Sequence, residues 1–432
     1  MYVCGPTVYD VPHLGHGRTA LVFDVVRRYL GWSGYRVTYL SNVTDIDDKI
    51  ILRAARDVTT ESALSSRYAA AYWTEMERLG VHPPDAAPHA TEFVDGMQRL
   101  IAELVERGAA YVIEGEGVYF AIEAFAKYGE LSHRTIDELA DSAGARIEVD
   151  DRKRSPMDFA LWKAAKPGEP TWNSPWGSGR PGWHIECAAM SLEILGDGFD
   201  LHGGGDDLVF PHHENERAEA EAAGHEFARH WLHSGMVNVG GEKMSKSLGN
   251  FTDLADALDQ HGPRAFRLAV LQAHYRSPME LGRDVIADSD RAIDRLDALA
   301  RRARAGGIAV GEAPDEALVA RFRDAMDDDF ATPAALAAIF DAAGAANRAV
   351  DAGDAERASV LLRTVVELLG VLGLELDDGG GAAGDAEIEA LVEAREAARR
   401  AGDFEKADRI RDDLAAGSVK IEDTPSGPVW RR

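Results

Sequence analysis

The sequence predicts an α/β protein built on a doubly wound parallel sheet, interrupted by an inserted subdomain and followed by an α-helical bundle and a small C-terminal module. Three observations carry this. The chain opens strand, helix, strand, a βαβ unit that seeds a parallel sheet. A hairpin pattern breaks in at residues 110–122. From Asp284 onward nearly every stretch reads as helix, rich in Ala, Leu, Arg and Asp.

Met1-Tyr2-Val3-Cys4-Gly5 is the first strand, and Pro6 and Pro12 bracket the turn after it. The chain begins at this strand, so a start upstream of Met1 is expected. Val22, Val25, Val26, Tyr29 and Leu30 then share a helical face. Gly34 ends that helix, and residues 36–40 read as the second strand. Helices are expected over 61–79 and 92–107. Two β-rich runs separated by Glu114-Gly115-Glu116-Gly117 make the hairpin. Pro, Gly and Trp crowd 167–182, a long ordered loop. Strand signals return at 199–202 and 235–239. A Gly-rich break at 377–384 reads as a linker that isolates the final module.

Composition bounds the class. At 432 residues the chain has room for about three domains. Only two cysteines, Cys4 and Cys187, exclude a disulfide framework. Apolar runs are too short for a membrane span, and nothing resembles a signal peptide. A soluble cytoplasmic protein without membrane association is expected. The net charge of −27 argues against a generic nucleic-acid coat, though local basic patches still bind polyanions.

Three constellations carry chemistry. Cys4, Cys187, His212 and Glu216 offer two thiols, an imidazole and a carboxylate, with Pro211 expected to start a helix that puts His212 and Glu216 on one face. They make a tetrahedral zinc site, or else two buried apolar thiols beside a helix N-terminus whose acids meet the dipole. His13-Leu14-Gly15-His16 lies between first strand and first helix. It suits a phosphate, but taken alone a capping turn is its plainer reading. Lys243-Met244-Ser245-Lys246-Ser247 clusters lysine in an arginine-rich chain, as a loop that neutralises pyrophosphate would. An exposed lysine loop is its plainer reading. His202-Gly203-Gly204-Gly205-Asp206-Asp207 is a strand end open to a ribose or adenine, or simply a tight turn.

Together these strings resemble the HIGH and KMSKS signatures of class I aminoacyl-tRNA synthetases, in the right order. Tyr2–Asp10, Asn42–Lys49, Gly182–Cys187 and Phe210–Glu216 sharpen the resemblance to the cysteinyl-tRNA synthetases. So do His274–Pro278, Asp328–Pro333 and Ile421–Pro425, so the likeness runs from Met1 to Arg432. Leu14 departs from the signature's isoleucine, a conservative change.

The resemblance implies a Rossmann-like class I catalytic domain at 1–107 and 172–234 with a connective subdomain inserted at 108–171. It implies a KMSKS loop and stem-contact region at 235–283, a tRNA-binding helical bundle at 284–376 and an anticodon-binding module at 385–432. Cys4, Cys187, His212 and Glu216 would hold one Zn2+ per chain. His13, Gly15, His16, Lys243, Ser245, Lys246 and Ser247 would bind ATP, brought with Mg2+, and His13, His16, Lys243 and Lys246 would be catalytic. Gly5, Thr44, Trp183, His202 and Asp207 would form the substrate pocket. The activity implied is attachment of L-cysteine to tRNA(Cys) through a cysteinyl-adenylate by a monomer. Arg301, Arg302, Arg304, Arg395, Arg399, Arg400 and Arg409 are candidates for tRNA phosphates, or solvated faces paired to acids. The nearest rival is a ligase joining cysteine to an amino-sugar pseudodisaccharide, as in mycothiol synthesis. The final module favours the tRNA enzyme, because a small-molecule ligase has no anticodon to reach.

Overall fold

Strand β1 (Tyr2–Val3) lies inside a four-stranded parallel sheet, and the chain after it turns into helix α1 (Leu14–Trp32). The structure, a computed structural model, describes all residues except 136–137, 139–151, 241, 244–252, 380–384, 417–418, 425–426 and 432. Helix α1 is buried on more than the one face its pattern suggests. Val22, Phe23 and Val26 pack with Met1 and Val3, while Leu14 and Leu21 pack with Leu254 and Phe266. Leu30 is only half-buried. Gly34, at φ +94°, follows the helix end in a left-handed conformation that glycine adopts without strain.

Strand β2 (Leu40–Ser41) is shorter than its β-rich run. Leu40 pairs with Tyr2 and Ser41 with Val3. The Tyr39 N–H donates to the Asp85 carboxylate at 2.7 Å, and the Leu40 N–H donates to the Met1 carbonyl at 3.0 Å. Helices α2 (Asp48–Arg56), α3 (Glu61–Arg78) and α4 (Val94–Glu106) follow. The hairpin is present as β3 (Ala110–Ile113) and β4 (Gly117–Phe120). With β5 (Phe159–Ala164) and β6 (Gly179–Pro181) it forms a second, wholly antiparallel sheet. Ala110, Val118, Phe120, Leu161 and Trp162 are its buried residues facing the main core.

Helix α5 (Trp183–Leu195), strand β7 (Leu201–Gly205), helix α6 (Glu214–Ala223) and strand β8 (His230–Ser234) return to the first sheet, whose order is β2-β1-β7-β8. Helical backbone runs from Pro211 into α6, so Pro211 stands at the helix start as the sequence reading expects. Phe210 before it is extended (φ −139°, ψ 131°), as the residue before proline prefers. Residues 209–213 form a wide turn kinked at Phe210, and regular α-helical bonding follows from Glu214.

Strands β9 (Val237–Val239) and β10 (Glu242–Lys243) precede helix α7 (Leu254–Leu271), which is broken at Gly262 ahead of Pro263. Strand β11 (Met279–Glu280) completes a three-stranded sheet of order β10-β9-β11. Helices α8 (Arg283–Ala305), α9 (Glu316–Asp327), α10 (Thr332–Asp351) and α11 (Ala355–Val371) make up the helical part. The last module joins α12 (Asp385–Arg400) and α13 (Phe404–Ala416) to a hairpin, β12 (Lys420–Thr424) and β13 (Gly427–Arg431). Ile388, Val392, Ile410, Leu414 and Val419 form its own core. The chain divides into two compact units, Met1–Asp290 with Arg321–Ala337 and Val371–Leu374, and the remainder. No described helix is long and apolar enough to cross a membrane.

Candidate active site

The carboxyl end of the parallel sheet gathers the chemistry. Cys4 follows β1, its N–H donating to the Gly203 carbonyl of β7 at 2.9 Å. Cys187 sits in the second turn of α5, His212 in the irregular turn and Glu216 in the first turn of α6. Their ligand atoms all lie within 4.8 Å of one another, and all four residues are buried. The Cys4 thiol donates to Glu216 Oε1 at 3.5 Å, and His212 Nε2 stands 3.1 Å from the same oxygen. His202 Nε2 is 2.8 Å from the other carboxylate oxygen. Cys4, His202, His213 and Glu216 form an overlapping group of the same tightness.

Burial pushes both thiols up; Cys187 and Glu216 raise Cys4 further, while the hydrogen bond from Cys4 offsets part of the rise at Cys187. It also raises Glu216, against the pull of His202. Burial drives His212 well below the usual imidazole range, with His184 and His202 adding to it. Four donors are thus crowded in a dry place that resists charging any of them. A divalent cation reverses that preference, because it stabilises thiolate and carboxylate directly. Two sulfurs, one nitrogen and one oxygen suit a tetrahedral borderline metal, so the donor set fits. Around it His184 and His212 share an Nδ1–Nδ1 hydrogen bond of 2.8 Å, and His213 Nδ1 meets His233 Nε2 at 2.8 Å. His213 and His233 were not singled out from sequence. The one clue was that His213 adjoins His212.

The Trp183 ring stacks on His212, centroids 4.2 Å apart. Trp183, His184, Asp206 and Asp207 line a cavity of about 1220 Å³, together with Tyr119 and Lys163 of the inserted sheet. Gly5, Thr44 and His202 lie outside that lining. Gly5 N–H donates to Asn42 Oδ1 at 2.8 Å, and a Cβ on Gly5 would lie 1.7 Å from the Asn42 carbonyl oxygen. Only glycine permits that approach. Asn42 donates to Thr44 Oγ1 at 3.3 Å, and Thr44 donates to Glu186 Oε2 at 3.1 Å. Glu186 is 1% exposed, and burial drives its carboxyl well above the usual range, Asp47 and Asp45 adding to the effect. An acid beside Cys187 in the apolar stretch of α5 was the signal for it.

His13 is the N-cap of α1. Its Nδ1 accepts from the Gly15 N–H at 3.1 Å, and His16 Nδ1 accepts from the His13 N–H at 3.2 Å. The rings stack with centroids 3.8 Å apart. The capping turn is present, and the imidazoles shape a helix N-terminus whose dipole favours an anion. Lys243 ends β10, opposite Asn238 of β9. Ser245, Lys246 and Ser247 lie outside the described residues. Four of the candidate arginines meet acids. Arg302 pairs with Asp351, Arg304 with Asp378 at 3.8 Å, and Arg395 and Arg399 with Glu396 at 2.9 and 3.4 Å.

Comparison with known proteins adds to this geometry. Residues 1–291 match the family described as tRNA synthetases class I (C) catalytic domain. Residues 321–377 match the DALR domain, and 382–431 the Cysteinyl-tRNA ligase anticodon binding domain. The Cysteine--tRNA ligase of Halorhodospira halophila is 50% identical over 440 residues, covering 100% of this chain and 94% of that protein. Those of Alkalilimnicola ehrlichii and Thermotoga maritima are 51% and 47% identical, covering 100% of this chain and 95% and 94% of theirs. Among solved structures, methionyl-tRNA synthetase of Mycobacterium tuberculosis with methionyl-adenylate superposes with TM-score 0.62 at 18% identity, over 86% of this chain and 89% of that one. A leucyl enzyme of Agrobacterium radiobacter K84, in a ternary complex titled LeuRS-tRNA-LeuAMS, gives 0.66 at 13%, over 86% and 83%. At such identities these two show the fold alone.

Proposed function

The chain belongs to the class I cysteine–tRNA ligase family, and from that premise we propose that it attaches L-cysteine to tRNA(Cys) at the expense of ATP. The observation that carries the substrate is the buried set Cys4, Cys187, His212 and Glu216 beside the Trp183 ring. Cysteine and ATP, the latter with Mg2+, give cysteinyl-adenylate and pyrophosphate. The cysteinyl group then passes to the terminal ribose of the tRNA.

Cys4, Cys187, His212 and Glu216 would hold one zinc ion, which when bound supplies a soft centre for the substrate thiolate that a serine hydroxyl does not satisfy. The His184–His212 and His202–Glu216 hydrogen bonds orient two of those ligands. Trp183 walls the pocket beside His212. Asp207 lines the same cavity and would orient the amino acid, while Gly5, Thr44 and His202, outside its lining, would support the pocket from behind. At the start of α1, His13, Gly15 and His16 take the triphosphate. Lys243 and Lys246, with Ser245 and Ser247, neutralise the departing pyrophosphate. Catalysis is then mainly positioning and charge stabilisation at the α-phosphate, with no covalent enzyme intermediate.

The sheet domain, 1–107 with 172–234, does the chemistry around the insertion at 108–171. Residues 235–283 carry the lysine loop, 284–376 hold the tRNA stem and 385–432 approach the anticodon. The protein works as a monomer in the cytoplasm. The amino-sugar ligase is not favoured, since residues 382–431 match an anticodon-binding module. The test is aminoacylation of total tRNA with cysteine or serine, alongside metal analysis of the purified protein. Cysteine is expected to charge tRNA with near one equivalent of zinc present. Serine charging at a similar rate, or charging without bound metal, overturns the reading.

A further inference from the structure

Arg18 lies on α1, two residues past His16, and is 1% exposed. Its guanidinium faces backbone carbonyls. Nη1 donates to Gly235 O at 2.7 Å and Met236 O at 2.9 Å. Nη2 donates to Ser277 O at 2.5 Å, Tyr275 O at 3.2 Å and His274 O at 3.5 Å. Among the described residues no carboxylate pairs with it, and burial lowers it to about 10. A buried cation without a counter-ion is costly, and an apolar side chain would fill the space with less penalty. What arginine adds is a rigid planar fork that fixes several acceptors at one spacing.

The acceptors belong to two segments. Residues 235–236 lead into β9, which pairs with β10, where Lys243 stands opposite Asn238. Residues 274–277 lead into β11, whose Met279 pairs with Val237 of β9. The segments also bond to each other, Gly235 N–H to Tyr275 O at 2.7 Å. A Cβ at Gly235 would lie 2.3 Å from Ser277 O, so the approach requires glycine. Thr19, next to Arg18, adds a hydroxyl contact to Ser234 at 2.8 Å. One helix therefore presents His13 and His16 at its start and, a turn later, grips the root of the strands that lead to Lys243.

We propose that Arg18 is a positioning residue that holds the strand pair ending at Lys243 in register with the His13–His16 turn, so that both meet one triphosphate. This rests on the reading of those residues as ATP ligands. Arg18→Lys keeps the charge but loses the fork, and a single ammonium cannot satisfy both segments.

The experiment separates the two half-reactions in the zinc-loaded protein. Cysteine-dependent ATP–pyrophosphate exchange reports activation, and single-turnover transfer from preformed cysteinyl-adenylate to tRNA reports the second step. Arg18→Lys is expected to lower kcat of exchange about 10–100-fold, the scale of a small misplacement. KM for cysteine and the transfer rate should stay within about twofold, since neither uses the lysine strand. Equal losses in both steps, or exchange unchanged, overturn the inference. So does a loss that follows the folded fraction measured by circular dichroism. Arg18→Met tests the fork without charge, and if it does not fold the lysine variant decides. Exchange absent in the unmodified protein overturns the functional reading instead.

Discussion

His212 Nε2 stands 3.1 Å from Glu216 Oε1, one helical turn along the backbone that runs from Pro211 into α6. The sequence spacing suggested an i, i+4 pair on one helix. The wide turn at 209–213 passes into α6 with helical backbone at His213, so the two side chains share a face as that spacing requires. The Trp183 ring pressed on His212 and the His184 hydrogen bond hold it there.

Cys4→Ser replaces a soft donor at the centre of that group. Its metal content should fall, and KM for cysteine should rise in pyrophosphate exchange. Preference for cysteine over serine should drop toward the ~10²-fold that contact-shaped pockets reach. Unaltered cysteine-dependent exchange in this variant would contradict a metal role for Cys4.

His202→Ala removes the partner of Glu216 Oε2, a 2.8 Å contact in a fully buried place. Losing such an outer partner weakens metal binding by about 10–100-fold. Competition with a chromophoric chelator measures this, and wild-type affinity in the variant would show that His202 does not support the site.

Asp24 is buried between Arg267 Nη1 at 2.7 Å and Arg28 Nε at 2.8 Å. Burial pushes its carboxyl up, but the two guanidiniums and the His82 N–H outweigh this and hold it below the usual range. A depressed carboxyl stabilises the fold above its unfolded pKa of about 3.9, and the contribution is lost as pH falls through the folded value. Asp24→Asn strands a buried arginine and should cost about 3–5 kcal/mol in denaturant unfolding. A loss under 1 kcal/mol would refute this.

His225 bridges Glu103 and Asp197, with both contacts at 3.0 Å. Burial lowers its pKa, but the two carboxylates raise it further, so the net shift is upward. Its contribution is complete below an ordinary histidine pKa of about 6.5 and disappears as pH rises through the higher folded value. Melting temperatures of the wild type and His225→Gln should therefore differ most below neutrality and converge at alkaline pH. A difference independent of pH would exclude the charged bridge.

Much of the fold was legible from local pattern. The hairpin at 110–122 appears as β3 and β4, and the opening βαβ unit is present. What failed was local too. The second strand is Leu40–Ser41 where the pattern suggested 36–40, and a kink at Phe210 widens the turn ahead of α6. Neither limit announces itself in the flanking composition. The strands that close the C-terminal module lie within a region whose pattern is otherwise helical.

The order of residues alone determined the class of fold, the family and the side chains worth watching, because helical and strand periodicities are short-range and the motif strings are contiguous. Convergence was decided elsewhere. Cys4 and Glu216 are 212 positions apart and touch because β1 and β7 are neighbours in the sheet and α6 follows β7. Arg18 reads as one more polar residue on a helix until the folded chain closes five carbonyl oxygens around it. Burial and partner choice arise from packing between distant segments, and no window along the chain contains both sides of such a contact.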